Sequence, residues 1–255
     1  MDDFAITVTS NPAKSNCKKL EGIALELMSR AKEAAISFDI SKTELIHFYS
    51  KRTTIEEGLK LGDIEISPKP LVRWLGVFLD SKLTFKQYVE IRISKAKAAF
   101  YLIRRLGNTQ RGLSLQALRQ LYIACVTTIA DYRIQCWWKS KSRDYLLARY
   151  QSLQNKALEL VLGAFRRSPS QAMEIEASIP PPRIRFKKLC NSYALRILKF
   201  KENHAIKTVY IEEIDKDRDE LATSSSSSSS PSPRNSTIRH LLQPKTQLLS
   251  LTSRV

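Results

Sequence analysis

The sequence begins Met1-Asp2-Asp3-Phe4-Ala5-Ile6-Thr7-Val8-Thr9, in which two adjacent aspartates stand directly ahead of residues that favour a β-strand. Carboxylate oxygens are the ligands that Mg²⁺ prefers, and a site for two such ions needs at least one further carboxylate from elsewhere in the fold. An acidic pair at a chain end is, by itself, usually frayed and solvated. The residues that follow therefore decide how the pair is interpreted.

The residues after this strand predict the order strand, helix, strand. Asn11-Pro12 is a helix-start signal, with asparagine as the cap and proline at the first helical position. The helix is predicted from apolar residues at helical spacing, namely Leu20, Ile23, Ala24, Leu27, Met28 and Ala31. Beyond Phe38, residues 45–49 alternate as a second strand. The aspartate pair would accordingly stand at the head of a folded unit.

Three segments, taken in order, resemble the palm motifs of reverse transcriptases. Met1–Ile6 is similar to the end of their Tyr-x-Asp-Asp motif, Phe38–Glu44 to the next palm motif, and Val72–Asp80 to the primer-grip hairpin. The same order is typical of non-LTR (LINE-type) retrotransposon polymerases, especially fungal ones. The resemblance continues through Gln135–Trp138 and Gly163–Arg167, so that it spans roughly residues 1 to 200.

This resemblance implies roles for a small set of residues. Asp2 and Asp3 fall on the metal-binding pair, which would hold Mg²⁺ in the intact parent enzyme. Lys42 falls on the lysine that assists nucleotide addition, as a charge near the triphosphate or as a proton donor to pyrophosphate. The hairpin that holds the primer end is matched by Trp74, Leu75 and Gly76. From the residues alone, Lys42 would be a solvated turn lysine and Trp74 a core tryptophan.

Several parts of such a polymerase have no counterpart in the sequence. They are the fingers, the palm strand with the first metal-binding aspartate, the motif that selects the incoming nucleotide, and the tyrosine before Asp2. Two carboxylates without their third partner cannot clamp two ions for an in-line displacement. We therefore expect a fragment that does not polymerise DNA by itself and binds no Mg²⁺ stably. Arg133 stands where the family leads us to expect glycine.

The charge of the chain points to a polyanionic partner. The 42 Lys and Arg residues outnumber the 25 Asp and Glu, for a formal net charge of +17 and a pI near 9.8. The phosphates of RNA or DNA are the simplest such partner, and the resemblance implies a template-primer duplex. A ribosome-like role or a membrane surface would suit the same charge. The apolar share of 43% is typical of a globular protein, and no apolar run is long enough to span a bilayer.

The cysteines indicate neither a metal site nor a disulfide framework. Cys17, Cys125, Cys136 and Cys190 are isolated from one another and from the histidines. None has the Cys-x-x-Cys spacing of a zinc site, and no disulfide partner is indicated. No signal peptide is visible. These features favour a reducing intracellular compartment, nuclear or cytoplasmic.

A basic amphipathic helix is predicted from about Phe85 to Leu106, capped by Asp80 or Thr84. Its apolar face comprises Phe85, Val89, Ile93, Ala96, Phe100 and Ile103. Its basic residues, opposed mainly by Glu90, are Lys86, Arg92, Lys95, Lys97, Arg104 and Arg105. A charged helix face is usually only solvated. The family, however, places a helical thumb here beside the template-primer duplex, so we predict phosphate contacts for the helix as a whole.

Three further long helices are predicted after this one. The first is capped by Ser114 and passes through Leu118, Leu121, Tyr122, Cys125 and Ile129 towards Trp137 and Trp138. The second, from Asp144 to Leu162, carries the apolar stripe Leu147, Tyr150, Leu153, Ala157, Leu160 and Val161. The third, from Arg183 to Phe200, is marked by Ile184, Leu189, Tyr193, Leu195 and Leu198. The adjacent tryptophans are expected to close the core, with base stacking as the alternative.

Together these features predict an α+β fold. Residues 1–79 would form a truncated polymerase palm of antiparallel strands and a helix, with strand edges left unpaired. Residues 80–203 would form a mostly α-helical thumb and connection region, and residues 204–255 a disordered basic tail rich in Ser and Pro, including Ser224–Ser230. The predicted function is that of a reverse-transcriptase fragment with residual nonspecific nucleic-acid binding. The alternative is a helical protein-interaction module, and neither interpretation predicts an oligomeric state.

Overall fold

The structure, a computed structural model, describes residues 3–9, 13–49, 55–107, 112–138, 144–212 and 246–254. Asp2, the predicted helix start Asn11-Pro12 and the serine run Ser224–Ser230 lie outside the described residues. The chain divides into two compact units. The first runs to Tyr88 and includes the C-terminal strand, and the second begins at Val89. Helices and antiparallel strand pairs occur together, which confirms the predicted α+β class.

An amphipathic helix follows the first strand of the first unit. The strand is β1 (Asp3–Thr9) and the helix is α1 (Ala13–Glu33). Leu20 and Ala24 are fully buried, because residues three, four and seven positions apart lie on one side of a helix. Ile23 was expected on this face but is exposed. The rotation of about 100° per residue carries Ile23 past the edge of the buried stripe.

The other strands before Tyr88 are short. They are β2 (Ser37–Phe38), β3 (Glu44–His47), β4 (Leu59–Leu61), β5 (Ile64–Ile66), β6 (Leu71–Trp74) and β7 (Val77–Asp80). β4 pairs with β5 and β6 pairs with β7, each pair forming an antiparallel hairpin. The core of the unit is formed by Leu20, Ala24, Leu45, Leu59, Leu61 and Ile66. This core places α1 against β3 and the first hairpin.

A C-terminal strand, β8 (Thr246–Arg254), completes the sheet of the first unit. It lies between β1 on one side and β2 and β3 on the other, antiparallel to all three. The prediction of disorder is therefore wrong for these residues, and the strand edges that face β8 are paired. The physical reason is that β1 and β3 each present a row of backbone N–H and C=O groups, and one strand between them satisfies both rows.

The second unit is helical. Its helices are α2 (Lys86–Gly107, which begins in the first unit), α3 (Leu115–Leu121), α4 (Thr128–Ala130), α5 (Asp144–Leu162), α6 (Ser170–Glu176) and α7 (Pro182–Leu198). Residues 205–212 are also helical. Of the two predicted caps of α2, Asp80 fixes the residues ahead of the helix, because its carboxylate accepts hydrogen bonds from the backbone N–H groups of Thr84 and Phe85, each at 2.8 Å. Thr84 Oγ1 accepts from the N–H of Lys86, the first residue of α2, at 3.4 Å. None of the described helices is both long and apolar enough to cross a membrane.

A wide helical turn between α3 and α4 changes which residues are buried. Tyr122–Thr127 is π-helical and adds one residue to the turn. Consequently Val126 and Ala130 are buried, whereas Cys125, which was expected on the apolar face, is exposed. Arg133 then takes a left-handed backbone conformation with φ of 53°, so the helix does not continue to the tryptophans as predicted.

The core of the second unit is rich in aromatic side chains. Trp137 stacks on Tyr150 with ring centroids 5.9 Å apart, and Phe186 meets Tyr150 edge-on at 4.8 Å. Trp138 also packs edge-on against Phe186, at 5.8 Å. Both tryptophans are buried, which confirms their predicted place in the core. On α7 the marker residues Ile184, Leu189, Leu195 and Leu198 are exposed, and the buried residues are Pro182, Phe186, Cys190 and Ile197.

Candidate nucleic-acid interface

The two aspartates that were predicted to bind metal, Asp2 and Asp3, lie at the edge of the described residues. Asp2 is outside them, and of Asp3 the structure describes the backbone, which opens β1 and pairs with Thr252 of β8. Among the residues that the structure describes, no three His, Cys, Asp or Glu side chains are grouped so that they could hold a metal ion. The metal-binding role of the two aspartates therefore stays a prediction.

Lys42 lies at the end of a short capped turn between β2 and β3. The turn is a single 3₁₀ helix, Ile40–Lys42, whose N-cap is Asp39. The Ser41 backbone N–H and hydroxyl both donate to Asp39 Oδ1, at 3.2 and 2.5 Å, and these hydrogen bonds hold the pKa of Asp39 below its usual value. Lys42 Nζ lies 3.4 Å from Asp39 Oδ2, but its side chain is 58% exposed. Its ammonium group is thus held at the surface, where an anion could reach it.

The predicted primer-grip hairpin is a tight two-residue turn. Leu75 and Gly76, between β6 and β7, have φ values of 46° and 79°, which are the positive angles of a type I′ turn. Leu75 is exposed at the tip of the hairpin. Trp74 is half-buried, and its buried Nε1 donates to no atom of the described residues. The hairpin therefore offers an exposed apolar tip on a defined backbone, and Trp74 is only partly a core residue.

Helix α2 carries an exposed row of positive charge. The expected apolar face is buried throughout, from Phe85 to Ile103. On the remaining surface, the exposed basic residues are Lys86, Lys95, Lys97, Arg104 and Arg105. Within the described residues none of these five forms an ion pair. Glu90, the acid expected to oppose them, pairs instead with Arg149 of α5 at 3.1 Å.

Three of these residues share one side of α2. Lys86, Lys97 and Arg104 are spaced by 11 and seven residues, which correspond to three and two helical turns. Such spacing gives a straight row about 27 Å long, at about 1.5 Å per residue. A row of exposed cations on a rigid helix can neutralise several phosphates without an entropic cost for ordering the backbone.

Arg92 differs from the other predicted phosphate-binding residues. It is half-buried, and its guanidinium lies 4.5 Å from the centre of the Tyr132 ring, as in a cation–π contact. Its buried Nε has no hydrogen-bond partner among the described residues. The spacing could have predicted this, because Arg92 lies one turn from the buried residues Tyr88 and Ala96.

Two polymerases of Drosophila melanogaster are similar to this chain. The "Probable RNA-directed DNA polymerase from transposon BS" is 26% identical over 161 residues, which are 63% of this chain and 18% of that protein. The "Probable RNA-directed DNA polymerase from transposon X-element" is 24% identical over 162 residues, which are 64% of this chain and 18% of that protein. The chain is similar to transposon RNA-directed DNA polymerases. The reverse-transcriptase resemblance predicted from the motifs is confirmed at this level.

The similarity covers a limited part of each relative. The aligned stretch spans less than a fifth of the length of either polymerase. No protein-family model and no solved structure matches the chain.

Proposed function

We propose that this chain corresponds to the end of the palm and the thumb region of a non-LTR retrotransposon reverse transcriptase, of the kind found in fungi. We further propose that it binds nucleic acid without sequence preference, through the exposed basic residues of α2. The observation that carries the proposal is the row of exposed cations on this helix, whose main predicted counter-charge, Glu90, pairs with Arg149. The net charge of +17 supports the same conclusion.

In the whole polymerase, the residues of the first unit would serve the reaction centre. Asp2 and Asp3 are adjacent hard oxygen donors of the type that suits Mg²⁺, and a further carboxylate would have to complete a two-ion site. When bound, Mg²⁺ would supply neutralisation of charge on the transferred phosphate. Lys42 would hold a positive charge beside the triphosphate, and the tip of the Trp74–Val77 turn would position the primer end.

Binding to phosphates predicts a steep dependence on salt. Each phosphate neutralised by a cation makes the slope of log K against log salt steeper by about 0.9 for B-form DNA. A variant with Lys86→Gln, Lys97→Gln and Arg104→Gln should therefore reduce the slope by roughly 2.7. The matched control replaces the three exposed lysines Lys14, Lys18 and Lys19 of α1 by glutamine, and we expect it to change the slope little.

The measurement is a titration of the purified chain with a fluorescent 16-base-pair DNA duplex and an RNA–DNA hybrid over a range of salt. A specific loss of slope in the α2 variant supports the proposal. Equal losses in both triple variants would mean that the chain attracts phosphate only through its overall charge. If neither duplex binds even at low salt, the proposed function is wrong.

A helical protein-interaction module is the second candidate, and one observation favours it. Helix α7 exposes Ile184, Leu195 and Leu198, which lie 11 and three residues apart and so fall on one side of the helix. Exposed apolar residues grouped in this way often mark a protein contact. Replacing Leu195 by glutamine should then abolish self-association of the chain, measured by sedimentation, and leave its affinity for nucleic acid unchanged.

A further inference from the structure

The loop between α5 and α6 presents an isolated aromatic ring to solvent. Phe165 is 88% exposed, which is more than any other large apolar side chain within the described residues. A phenylalanine ring normally gains stability from burial, and a ring left almost entirely in water has no packing role in its own unit. The ring is therefore free to contact a molecule outside the unit.

The backbone that carries this ring is held by hydrogen bonds on both sides. On the N-terminal side, α5 ends in a Schellman motif, in which the N–H of Ala164 donates to Glu159 O at 3.0 Å and that of Gly163 to Leu160 O at 3.4 Å. Gly163 has the positive φ of 62° that this motif requires. The loop therefore leaves the helix in one defined direction.

On the C-terminal side, a single residue closes the loop. Ser168 donates from its backbone N–H and from its hydroxyl to the carbonyl oxygen of Phe165, at 3.1 and 2.8 Å. The two hydrogen bonds close a four-residue turn, from Phe165 to Ser168, whose central residues are Arg166 and Arg167. Because the Phe165 carbonyl is fixed, the ring is presented by a preorganised turn rather than by a loose connection.

The surroundings of the ring are positively charged. Arg166 and Arg167 follow it directly, both are exposed, and neither forms an ion pair with a described residue. The sequence contains no aspartate or glutamate between Glu159 and Glu174. Glu174 is buried, where its carboxylate accepts hydrogen bonds from Gln151 and Gln154. The charge around the ring is thus suited to phosphate rather than to a basic or neutral peptide.

We propose that Phe165, Arg166 and Arg167 form a binding site for single-stranded nucleic acid, which we call the stacking turn. An unpaired base would stack on the Phe165 ring, and the two guanidinium groups would contact the phosphates on either side of it. A duplex cannot use such a ring, because its bases are already stacked on each other. The proposal rests on the proposed function in taking nucleic acid as the partner, but it assigns this site to an unpaired strand rather than to the duplex.

The test compares a single strand with a duplex. The probes are fluorescein-labelled dT12 and a 12-base-pair duplex, titrated with the full chain under identical salt. Phe165→Leu keeps an apolar side chain and removes the aromatic face, and we expect it to weaken binding of dT12 by about 5- to 150-fold, the range for loss of one stacked base. Duplex affinity should be unchanged. Phe165→Trp should bind dT12 at least as tightly as the unaltered chain.

Two further variants separate stacking from charge and from a general effect of exposed rings. Arg166→Gln combined with Arg167→Gln should lower the salt slope for dT12 by roughly 1.4, since each single-strand phosphate contributes about 0.7. The matched control is Tyr145→Leu, which removes another exposed aromatic ring in the same unit and should leave dT12 binding unchanged. Because these side chains are exposed, the variants are expected to fold.

Several results would overturn the proposal, and they differ from failure of the proposed function. If Phe165→Leu binds dT12 normally while the α2 variant loses duplex binding, the stacking turn is wrong and the proposed function stands. If the unaltered chain binds neither probe at low salt, both are wrong. If Phe165→Leu leaves dT12 binding intact but abolishes self-association in sedimentation, the ring is a protein contact.

Discussion

Arg185 of α7 donates from Nε and Nη2 to the two carboxylate oxygens of Asp131, which lies 54 residues earlier in the chain, directly after α4. Both side chains are largely buried. Burial raises the pKa of Asp131, and the neighbouring guanidinium opposes this rise. The pair therefore joins the end of α4 to α7 inside the second unit, where each charge depends on the other.

The side chains of Gln154 and Glu174 extend this ion pair into a network. Arg185 Nη1 donates to Gln154 Oε1 at 2.5 Å, and Gln154 Nε2 donates to Glu174 Oε1 at 2.9 Å and to Pro180 O at 3.1 Å. The network thus connects α5, α6 and α7. Because buried polar groups need partners, it restricts these helices to one arrangement, the one that also sets the start and end of the stacking turn.

We predict that Asp131→Asn lowers the free energy of unfolding by about 3–5 kcal/mol, because it leaves the buried Arg185 guanidinium without its counter-charge. The measurement is urea unfolding followed by the fluorescence of the buried tryptophans. The double variant Asp131→Leu with Arg185→Met should lose much less, since neither charge of the pair is then left buried without its partner. Arg149→Met breaks the exposed pair with Glu90 and should cost no more than about 1 kcal/mol. A loss for Asp131→Asn as small as this control would show that the pair is not important for stability.

We expect the arginine side chain at position 133 to destabilise the fold. Its φ of 53° lies in the left-handed region, which costs a side-chain-bearing residue roughly 1–2 kcal/mol. Its guanidinium recovers part of this through a contact 5.5 Å from the centre of the Tyr132 ring. Arg133→Gly should raise the free energy of unfolding relative to Arg133→Ala by about 1 kcal/mol, because both lose the contact and only glycine relieves the strain. Equal stability of the two variants in urea would contradict this.

The α+β class and the long helices could be predicted from local patterns. The burial of Val89, Ile93 and Ala96 follows directly from their spacing, and so does the exposure of most basic residues on α2. The expectation of glycine at position 133 agrees with the left-handed backbone found there. For the residues of α2, the signal lies within one or two helical turns of the residue that it describes, whereas the expectation at position 133 came from the family resemblance.

Long-range relationships had no local signal. The pairing of Asp131 with Arg185 joins residues 54 positions apart, and nothing in either segment indicates the other. The π-helical turn at Tyr122–Thr127 shifts burial from Cys125 to Val126, and the segment contains no proline or glycine that would have indicated it. The exposure of Phe165 was likewise not predicted, because an aromatic residue near a helix end is ordinarily expected to pack inward.

His47 makes the first unit sensitive to acid. Its side chain is only 2% exposed, its Nε2 donates to Glu57 O at 2.7 Å, and its buried Nδ1 has no partner among the described residues. Burial lowers the pKa of His47 below its ordinary value of 6.5. The unfolded chain therefore binds the proton more readily, and stability is lost as the pH falls from about 6.5 towards the lower folded pKa.

The free energy of unfolding should fall by at most about 1.4 kcal/mol per pH unit as His47 becomes protonated. The measurement compares urea midpoints at pH 7.5 and 5.5 for the unaltered chain and for His47→Gln, whose amide could still donate to Glu57 O. The difference between the two pH values should be smaller in the variant. An equal pH dependence in both proteins would show that another group is responsible.

Because β8 pairs with both β1 and β3, we predict that the stability of both strands depends on β8. Leu249 is in register with Ile6 of β1 and with Leu45 of β3. Proline at position 249 lacks the backbone N–H and is poorly accommodated in an interior strand. We therefore expect Leu249→Pro to accelerate amide hydrogen exchange at residues 3–9 and 44–47, while the hairpin of β6 and β7 keeps its protection.

The matched control is Ser253→Pro, which lies near the end of β8 opposite Phe38 and outside the register with β3. It should leave the exchange of residues 44–47 unchanged, because the backbone bonds beside Leu249 stay intact. A chain that ends at Lys245 should reproduce the full effect of Leu249→Pro on β1 and β3. If both strands keep their protection in the shortened chain, their edges are satisfied by something other than β8, and the sheet order found here is not what stabilises the first unit.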